Sequence, residues 1–380
     1  MLSAAIHFDQ FGLLLSVSMK EQFYVFIRKH LQKNKRKMFM LCELISSRTS
    51  YSAIHVKNVL KPSNTYLIPW CIVVELSVIL GFSLREAESF ILSYGVPRCR
   101  SPVIHPKVPI EHTPIVDMLV AHALADGSVV RSSKRIPYFS FRQHDEVLMN
   151  SYKKKCEFVF GNIPSLYMGK EKTKAYLPAG PSEVLFLVSQ KSENDFLSKE
   201  AKMPQYIFSL SLEHQFGFFL AFFADEGHVD STNMVIRLKN ESLADGLFTI
   251  CSNIGFVATR TSYSDGMHQV YINSESLSDF YARYKKFQDK YPFVQLSYKE
   301  SLLKHVLHRK ANSSLRLDRK DQLLKFLKES PKTVNELAKL AILTRQGVRY
   351  HIKTLMKHRR IQHIDTIPGK PPEYVYAPWQ

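Results

Sequence analysis

Two nine-residue stretches constrain this chain more than any other feature: residues 119–127 (LVAHALADG) and residues 219–227 (FLAFFADEG). They align without a gap. Ala121 falls on Ala221, Asp126 on Glu226 and Gly127 on Gly227. Each is an apolar, small-residue run that closes on an acid and a glycine. A repeat that carries one carboxylate to the same point of each copy predicts a pseudo-twofold site with one acid from each half.

Each run reads as a helix with its own boundaries. Thr113 can cap the first and Pro114 suits its first position. Ser211 can cap the second, and Glu213 would lie near the positive end of its dipole. Gly127 and Gly227 stand where helices commonly take a left-handed terminal residue. Asp126 and Glu226 then occupy the last turns. Ala121 and Ala221, about 7.5 Å up the axis, would let the helices pack closely, so that all four small residues mark a helix interface. Two carboxylates beside two negative helix ends favour a bound proton or a divalent cation. A hard-metal site with few protein ligands and an anionic substrate is the expected outcome. The segment Leu243-Ala244-Asp245-Gly246 spells a similar ending but lacks the apolar approach, which makes Asp245 a surface acid.

Charge narrows the class of partner. The formal net charge is +18 over 380 residues, and its distribution is uneven. Residues 1–100 hold 13 Lys+Arg against 6 Asp+Glu, residues 101–300 are balanced, and residues 301–380 hold 17 against 6. Basic ends around a neutral middle point to nucleic acid rather than a membrane surface. The five cysteines (Cys42, Cys71, Cys99, Cys156 and Cys251) form no CxxC pair, which speaks against a zinc framework or disulfides. The apolar run from residue 71 to 82 is too short to span a bilayer and contains Glu75. The expectation is a soluble cytoplasmic protein without a signal peptide or a membrane partner.

Around the repeat the residues resemble the LAGLIDADG homing endonucleases in their single-chain, two-motif form. The resemblance covers roughly residues 105–290. It includes IPYFSFRQHDEVLMNSY after the first run, NMVIRLKNESLADGLF after the second, and the lead-in MPQYIFSLSLEHQFGFFLAFFADEG. It implies an α+β fold: a duplicated core of two αββαββα-type halves with antiparallel saddle-shaped sheets. It further implies that Asp126 and Glu226 are the catalytic, metal-binding acids, with Mg²⁺ or another divalent cation, acting on double-stranded DNA. The family's other motif acid is replaced here by Leu124 and Ala224, at a position that varies in the family. Period-two sequence at residues 137–143, 233–239 and 267–272 predicts strands whose outward residues read DNA. Arg142, His144, Arg237, Lys239, Arg260 and His268 are the candidates. Lys172 or Arg260 would complete the active site, and Lys170, Lys172 and Lys174 would touch backbone from a loop.

The flanks look like further DNA-binding modules. From Asp321 onward DQLLKFLKES, VNELAKLA opened by Thr333, and a third helix capped by Thr344 precede a strand pair around Pro-Gly-Lys. On the third helix Val348, Ile352 and Leu355 form an apolar stripe. Arg345, Arg349, Lys353 and Lys357 run beside it at i,i+4 spacing, a mutual repulsion that an anion would relieve. The arrangement resembles a winged helix-turn-helix, with Arg345, Gln346 and Arg349 as base readers. Residues 20–100 read as helical, with a segment around Ser52, His55 and Lys57 that resembles the recognition helix of a repressor-type helix-turn-helix. The expected domains are 1–100 (helical), 101–112 (a stiff Pro-rich linker), 113–205 and 206–300 (the two halves), and 301–380 (winged helix). The functional expectation is a site-specific, Mg²⁺-dependent homing-type DNA endonuclease, acting as a monomer. The alternatives are a DNA-binding regulator on a silent endonuclease scaffold and an intron RNA maturase.

Overall fold

The structure is a computed structural model. It describes residues 5–11, 15–63, 67–96, 102–132, 135–164, 167–168, 173–196, 200–230, 232–341, 343–367 and 373–379. Lys170, Lys172, Cys99 and the Pro-Gly-Lys turn lie outside these residues. The chain is α+β with several small antiparallel sheets. It divides into two compact units, Met1–Leu302 and Leu303–Gln380.

The first unit opens with β1 (Ala5–Ile6), α1 (Phe8–Phe11), β2 (Ser16–Met19), α2 (Glu21–Lys33), α3 (Met38–Arg48), α4 (Ala53–Val59), β3 (Ile68–Pro69), α5 (Trp70–Leu80), α6 (Leu84–Glu88) and β4 (Ile91–Gly95). The expected helical pattern therefore holds only in part. Residues 91–95 form a strand, and a four-stranded sheet of order β3-β2-β4-β5 lies among the helices. Its last member, β5 (Val103–Ile104), and the next strand, β6 (Ile110–Glu111), both fall in the stretch expected to be a bare linker. β5 pairs with β4, and β6 pairs with β1. The prolines there interrupt strands at sheet edges, where a missing N–H costs little. Among the described residues, 103–104 and 110–111 are paired into sheets, so this stretch is not a bare spacer.

Two segments with the same order of elements follow. The first holds α7 (Pro114–Leu124), β7 (Gly127–Ser132), β8 (Arg135–Arg142), α8 (Glu146–Phe160), β9 (Tyr167–Met168), β10 (Lys174–Tyr176) and α9 (Ala179–Ser189). The second holds α10 (Leu212–Glu226), β11 (Gly227–Val229), β12 (Met234–Leu238), α11 (Glu241–Asn253), β13 (Ala258–Ser262), β14 (His268–Ile272) and α12 (Leu277–Lys290). The strand orders match as well: β7-β8-β10-β9 and β11-β12-β14-β13. α7 is buried along its whole length and α10 from Gln215 to Ala224, as an apolar surface all round a helix requires.

α13 (Tyr298–Glu329) leads into the second unit. The helix expected to begin near Asp321 is the end of this longer one. β15 (Lys332–Thr333), α14 (Val334–Leu340), α15 (Arg345–Lys357), β16 (Ile361–Ile367) and β17 (Glu373–Pro378) complete the chain, with sheet order β15-β17-β16. Thr333 caps α14 in a reciprocal box with Glu336, and the Thr344 hydroxyl accepts from Gly347 N at 3.1 Å. Val348, Ile352 and Leu355 close on Leu323, Leu327, Leu337 and Ile361. Burial of this kind contributes about 1.5–3 kcal/mol per large aliphatic side chain.

Candidate active site

α7 and α10 pack side by side in the same direction. Near their starts, a Cβ added to Gly217 of α10 would lie 3.3 Å from Pro114 Cβ, a tight approach that the absence of a side chain leaves room for. Near their ends His122 Nδ1 of α7 is 2.7 Å from Asp225 Oδ2 of α10. Ala121 and Ala221 are fully buried. Thr113 and Ser211 hold the N-cap positions, but neither side chain makes a cap bond.

The terminal glycines are a correction. Gly227 has φ −82° and ψ 156°, and Gly127 is not among the positive-φ glycines, in contrast to Gly81 after α5 at φ 72°. Neither takes a left-handed cap, because the chain turns directly from helix into strand. A Cβ on Gly127 would meet the backbone of Ala123, and one on Gly227 would meet Phe223. These glycines therefore serve the sharp exit from their own helices. Between the helices, Gly217 is the glycine that lies against the partner helix, at Pro114.

Asp126 lies in the turn just past α7, one residue after its cap Ala125 and not in the last helical turn as expected, whereas Glu226 is the last residue of α10; both are half-buried. The Asp126 carboxyl is pushed up to about 7, by burial and by the charge of Asp225, with Lys299 opposing. Glu226 is also pushed up to about 7, by burial, Asp126 and Asp225, again with Lys299 opposing. Both acids thus sit where two helices end, in the field of Asp225, and Asp126 adds its own charge at Glu226.

Two further groups belong here that sequence reasoning missed. Lys299, at the head of α13, is 2% exposed. Its Nζ donates to the carbonyls of Phe223, Ala224 and Asp225 at 3.0, 2.6 and 3.3 Å. It thereby takes up free carbonyls at the end of α10. Burial pulls its own pKa down, while Asp225, Asp126, Glu226 and Asp145 act to hold it up. No motif marks it: it is one lysine far downstream, in Leu296-Ser297-Tyr298-Lys299. Asp225 turns away from Glu226 and into the first segment. Burial raises its carboxyl well above the usual range, against the pull of Lys155 and Lys299. Burial, then Lys155, holds His122 well below its ordinary value, so its imidazole is neutral. The adjacent acids in Ala224-Asp225-Glu226-Gly227 were the available signal.

Strand register sorts the other candidates. In the first sheet Arg142 pairs with Lys174, and Ser140 pairs with both Ser128 and Tyr176. Their shared face is opposite the buried Phe139, Phe141 and Ala175. Arg142 is exposed on it, and His144 lies beyond the strand, in the turn before α8. In the second sheet Arg237 pairs with Gln269, and Gln269 with Thr261. Arg237 is exposed, and Lys239 follows one residue past the strand end.

Arg260 and His268 are corrections. Their partners Val270 and Leu238 are buried, so both residues belong to the inward face and not the outward one. Arg260 is held by Glu241 and Asp245 of α11, and His268 Nδ1 is 3.0 Å from Ser262 Oγ. Arg260 therefore does not complete the pair of acids. Asp245 is exposed, as expected. The outward residues not foreseen are His228, Thr259 and Tyr271 in the second sheet and Tyr138 and Tyr176 in the first.

In the second unit Arg345, Gln346, Arg349, Lys353 and Lys357 are all exposed on α15. Arg345, Arg349 and Lys353 face Tyr374 and Tyr376 of β17 across a groove of about 430 Å³. Near the chain start, Ser52 caps α4 by accepting from His55 N, and His55 and Lys57 are exposed. Among the described residues no helix is long and apolar enough to cross a membrane, and Cys42, Cys71, Cys156 and Cys251 are free thiols.

Comparison with known proteins gives a remote likeness. No family model and no curated protein matches the chain. Similar solved structures include I-DmoI in complex with DNA and Mn, at 14% identity and TM-score 0.34, covering 45% of this chain and 95% of that one. The homing endonuclease I-WcaI bound to its DNA recognition sequence matches at 10% identity and TM-score 0.33, covering 50% and 86%. Full-length DUF199/WhiA from Thermatoga maritima matches at 13% identity and TM-score 0.31, covering 64% and 90%.

Proposed function

We propose that this chain is a metal-dependent DNA endonuclease of the homing type, built on a duplicated core with helix-turn-helix modules at its ends. The observation that carries the reading is the pair Asp126 and Glu226. Each stands at the end of one of two packed helices, both carboxyls are raised to about 7 by burial and the charge of Asp225, and Asp126 adds its own charge at Glu226. Excess negative charge of this kind is relieved by a proton at low pH and by a dication at higher pH. The donor set, two carboxylates, suits a hard cation such as Mg²⁺. Bound there, such an ion would supply Lewis acidity to a phosphodiester and a more acidic water.

The chain's own residues do the remaining work. Lys299 fixes the end of α10 through three carbonyls and so positions Glu226. The His122–Asp225 bond ties the two helix ends together. Arg142, Arg237 and Lys239, with the aromatic and hydroxyl groups beside them, give each sheet an outward face suited to bases and phosphates. Arg345, Gln346, Arg349, Lys353 and Lys357 would enter a groove from the winged module, whose two wing strands are β16 and β17. The domains proposed are 1–100, 101–112, 113–205, 206–300 and 301–380, the second now a paired connection. A duplicated core supplies its own twofold, so a monomer is proposed.

One observation favours a second reading, a DNA-binding regulator on a silent scaffold. Lys299 already brings positive charge to both acids, and a resident ammonium competes with a metal. Incubation with Mg²⁺ and a random duplex library separates the two. Cut ends support the nuclease; enrichment of bound duplex without cutting supports the regulator. Tighter binding to intron RNA than to any duplex would instead favour a maturase.

A further inference from the structure

A second group of metal-ligating side chains lies at the opposite end of the helix pair from the two acids. Asp117, in the first turn of α7, is fully buried. His112 Nε2 is 3.0 Å from its Oδ1, and His214 Nδ1, in the first turn of α10, is 2.6 Å from its Oδ2. Ligand atoms of all three lie within 4.8 Å of one another. The two imidazoles meet edge to face with ring centres 5.2 Å apart. The Tyr206 hydroxyl donates to Asp117 Oδ1 at 2.8 Å, the kind of outer bond that orients a ligating carboxylate.

We propose that His112, Asp117 and His214 form a second cation site, specific for zinc-class transition ions, that clamps the entry of α7 to the lead-in of α10. Two imidazoles and one carboxylate are a borderline-soft donor set, which suits zinc better than magnesium. Bonds of about 2.0–2.2 Å from a tetrahedral ion place neighbouring ligand atoms about 3.4 Å apart. The observed separations, 3.0 and 2.6 Å to the two carboxylate oxygens and no pair beyond 4.8 Å, bracket that spacing, so small side-chain rotations would seat the ion. Both helices present their positive ends here, which disfavours a cation held by charge alone. An ion here would depend on directed ligand bonds, which favours a zinc-class ion over Mg²⁺ and Ca²⁺.

The test uses the full chain carrying Asp126→Asn and Glu226→Gln, so that the other acids cannot bind the ion. It is independent of any nuclease activity. After chelator dialysis, Zn²⁺ is titrated calorimetrically in excess Mg²⁺, and Co²⁺ is added as a spectroscopic probe. The expected result is one Zn²⁺ per chain, a raised melting temperature and the visible bands of tetrahedral Co²⁺. His214→Gln keeps an N–H donor for Asp117 but is a poor ligand; it should fold normally and bind zinc more than about tenfold more weakly. Asp117→Asn should lose binding too. Absence of stoichiometric zinc binding, or unchanged binding in the His214→Gln chain, overturns the proposal and leaves the cluster a hydrogen-bonded strut.

Discussion

At the scale of single residues the carboxyl pair sets the pH behaviour. Asp126 and Glu226 have ordinary values of 3.8 and 4.5, and both rise to about 7 in the fold. Between those limits the folded chain binds more protons than the unfolded one. Stability contributed at this site therefore falls as pH climbs from about 4 to 7. Without metal, the melting temperature is expected to be higher at pH 5 than at pH 8. Asp126→Asn should raise it at pH 8 by clearly more than at pH 5, where only the first part of the loss has occurred; an equal effect at both would remove the repulsion argument. Lys299→Met is expected to cost stability, because it strips donors from three carbonyls, at about 1–3 kcal/mol for each buried group left unpaired. Chemical denaturation reads this directly, and a loss under 1 kcal/mol would count against the contact. The two acids were legible in the sequence because a repeat flags them. Lys299 was not, since chain contiguity carries no information about a partner brought in from α13.

At the scale of elements the account turns on how the two helices end. Gly127→Ala and Gly227→Ala should each destabilise by about 1–3 kcal/mol, because the new methyl has to displace the last turn of its own helix. Left-handed caps would lose about the same, but they would tolerate Asn. Asn at either position is therefore expected to be no better than Ala, as thermal melts of the two pairs of variants would reveal. The helices themselves and strands β8, β12 and β14 could be read from periodicity. The faces of the strands could not. A shift of one residue inverts a strand, and only pairing with Gln269, Val270 and Leu238 shows that Arg237 points outward while Arg260 and His268 do not. Strand β4 was hidden for a related reason. Residues 91–95 continue a helical pattern from α6, and it is pairing with β2 and β5 that makes them extended.

At the scale of the whole molecule, charge separates two roles. The middle of the chain is neutral by count, and the excess lies at its ends. If α15 supplies phosphate contacts, Arg349→Ala or Lys353→Ala should weaken duplex binding and lower the slope of log affinity against log salt by about one each. A slope unchanged in both variants would place the contacts elsewhere. The basic stripe of α15 was plain from i,i+4 spacing, and so was its apolar core. The connection at residues 101–112 was not, because prolines read as a spacer unless the strands they border are known. The claim on which the rest depends is that Asp126 and Glu226 act together on DNA through one cation. The most direct measurement is Mg²⁺-dependent cleavage of a duplex library by the unaltered chain, Asp126→Asn and Glu226→Gln, with binding followed in parallel. Cutting by the unaltered chain alone, at least about a hundredfold above either variant, with binding kept in all three, is the expected result. Cutting that survives in either variant, or binding without any cutting by the unaltered chain, would contradict it.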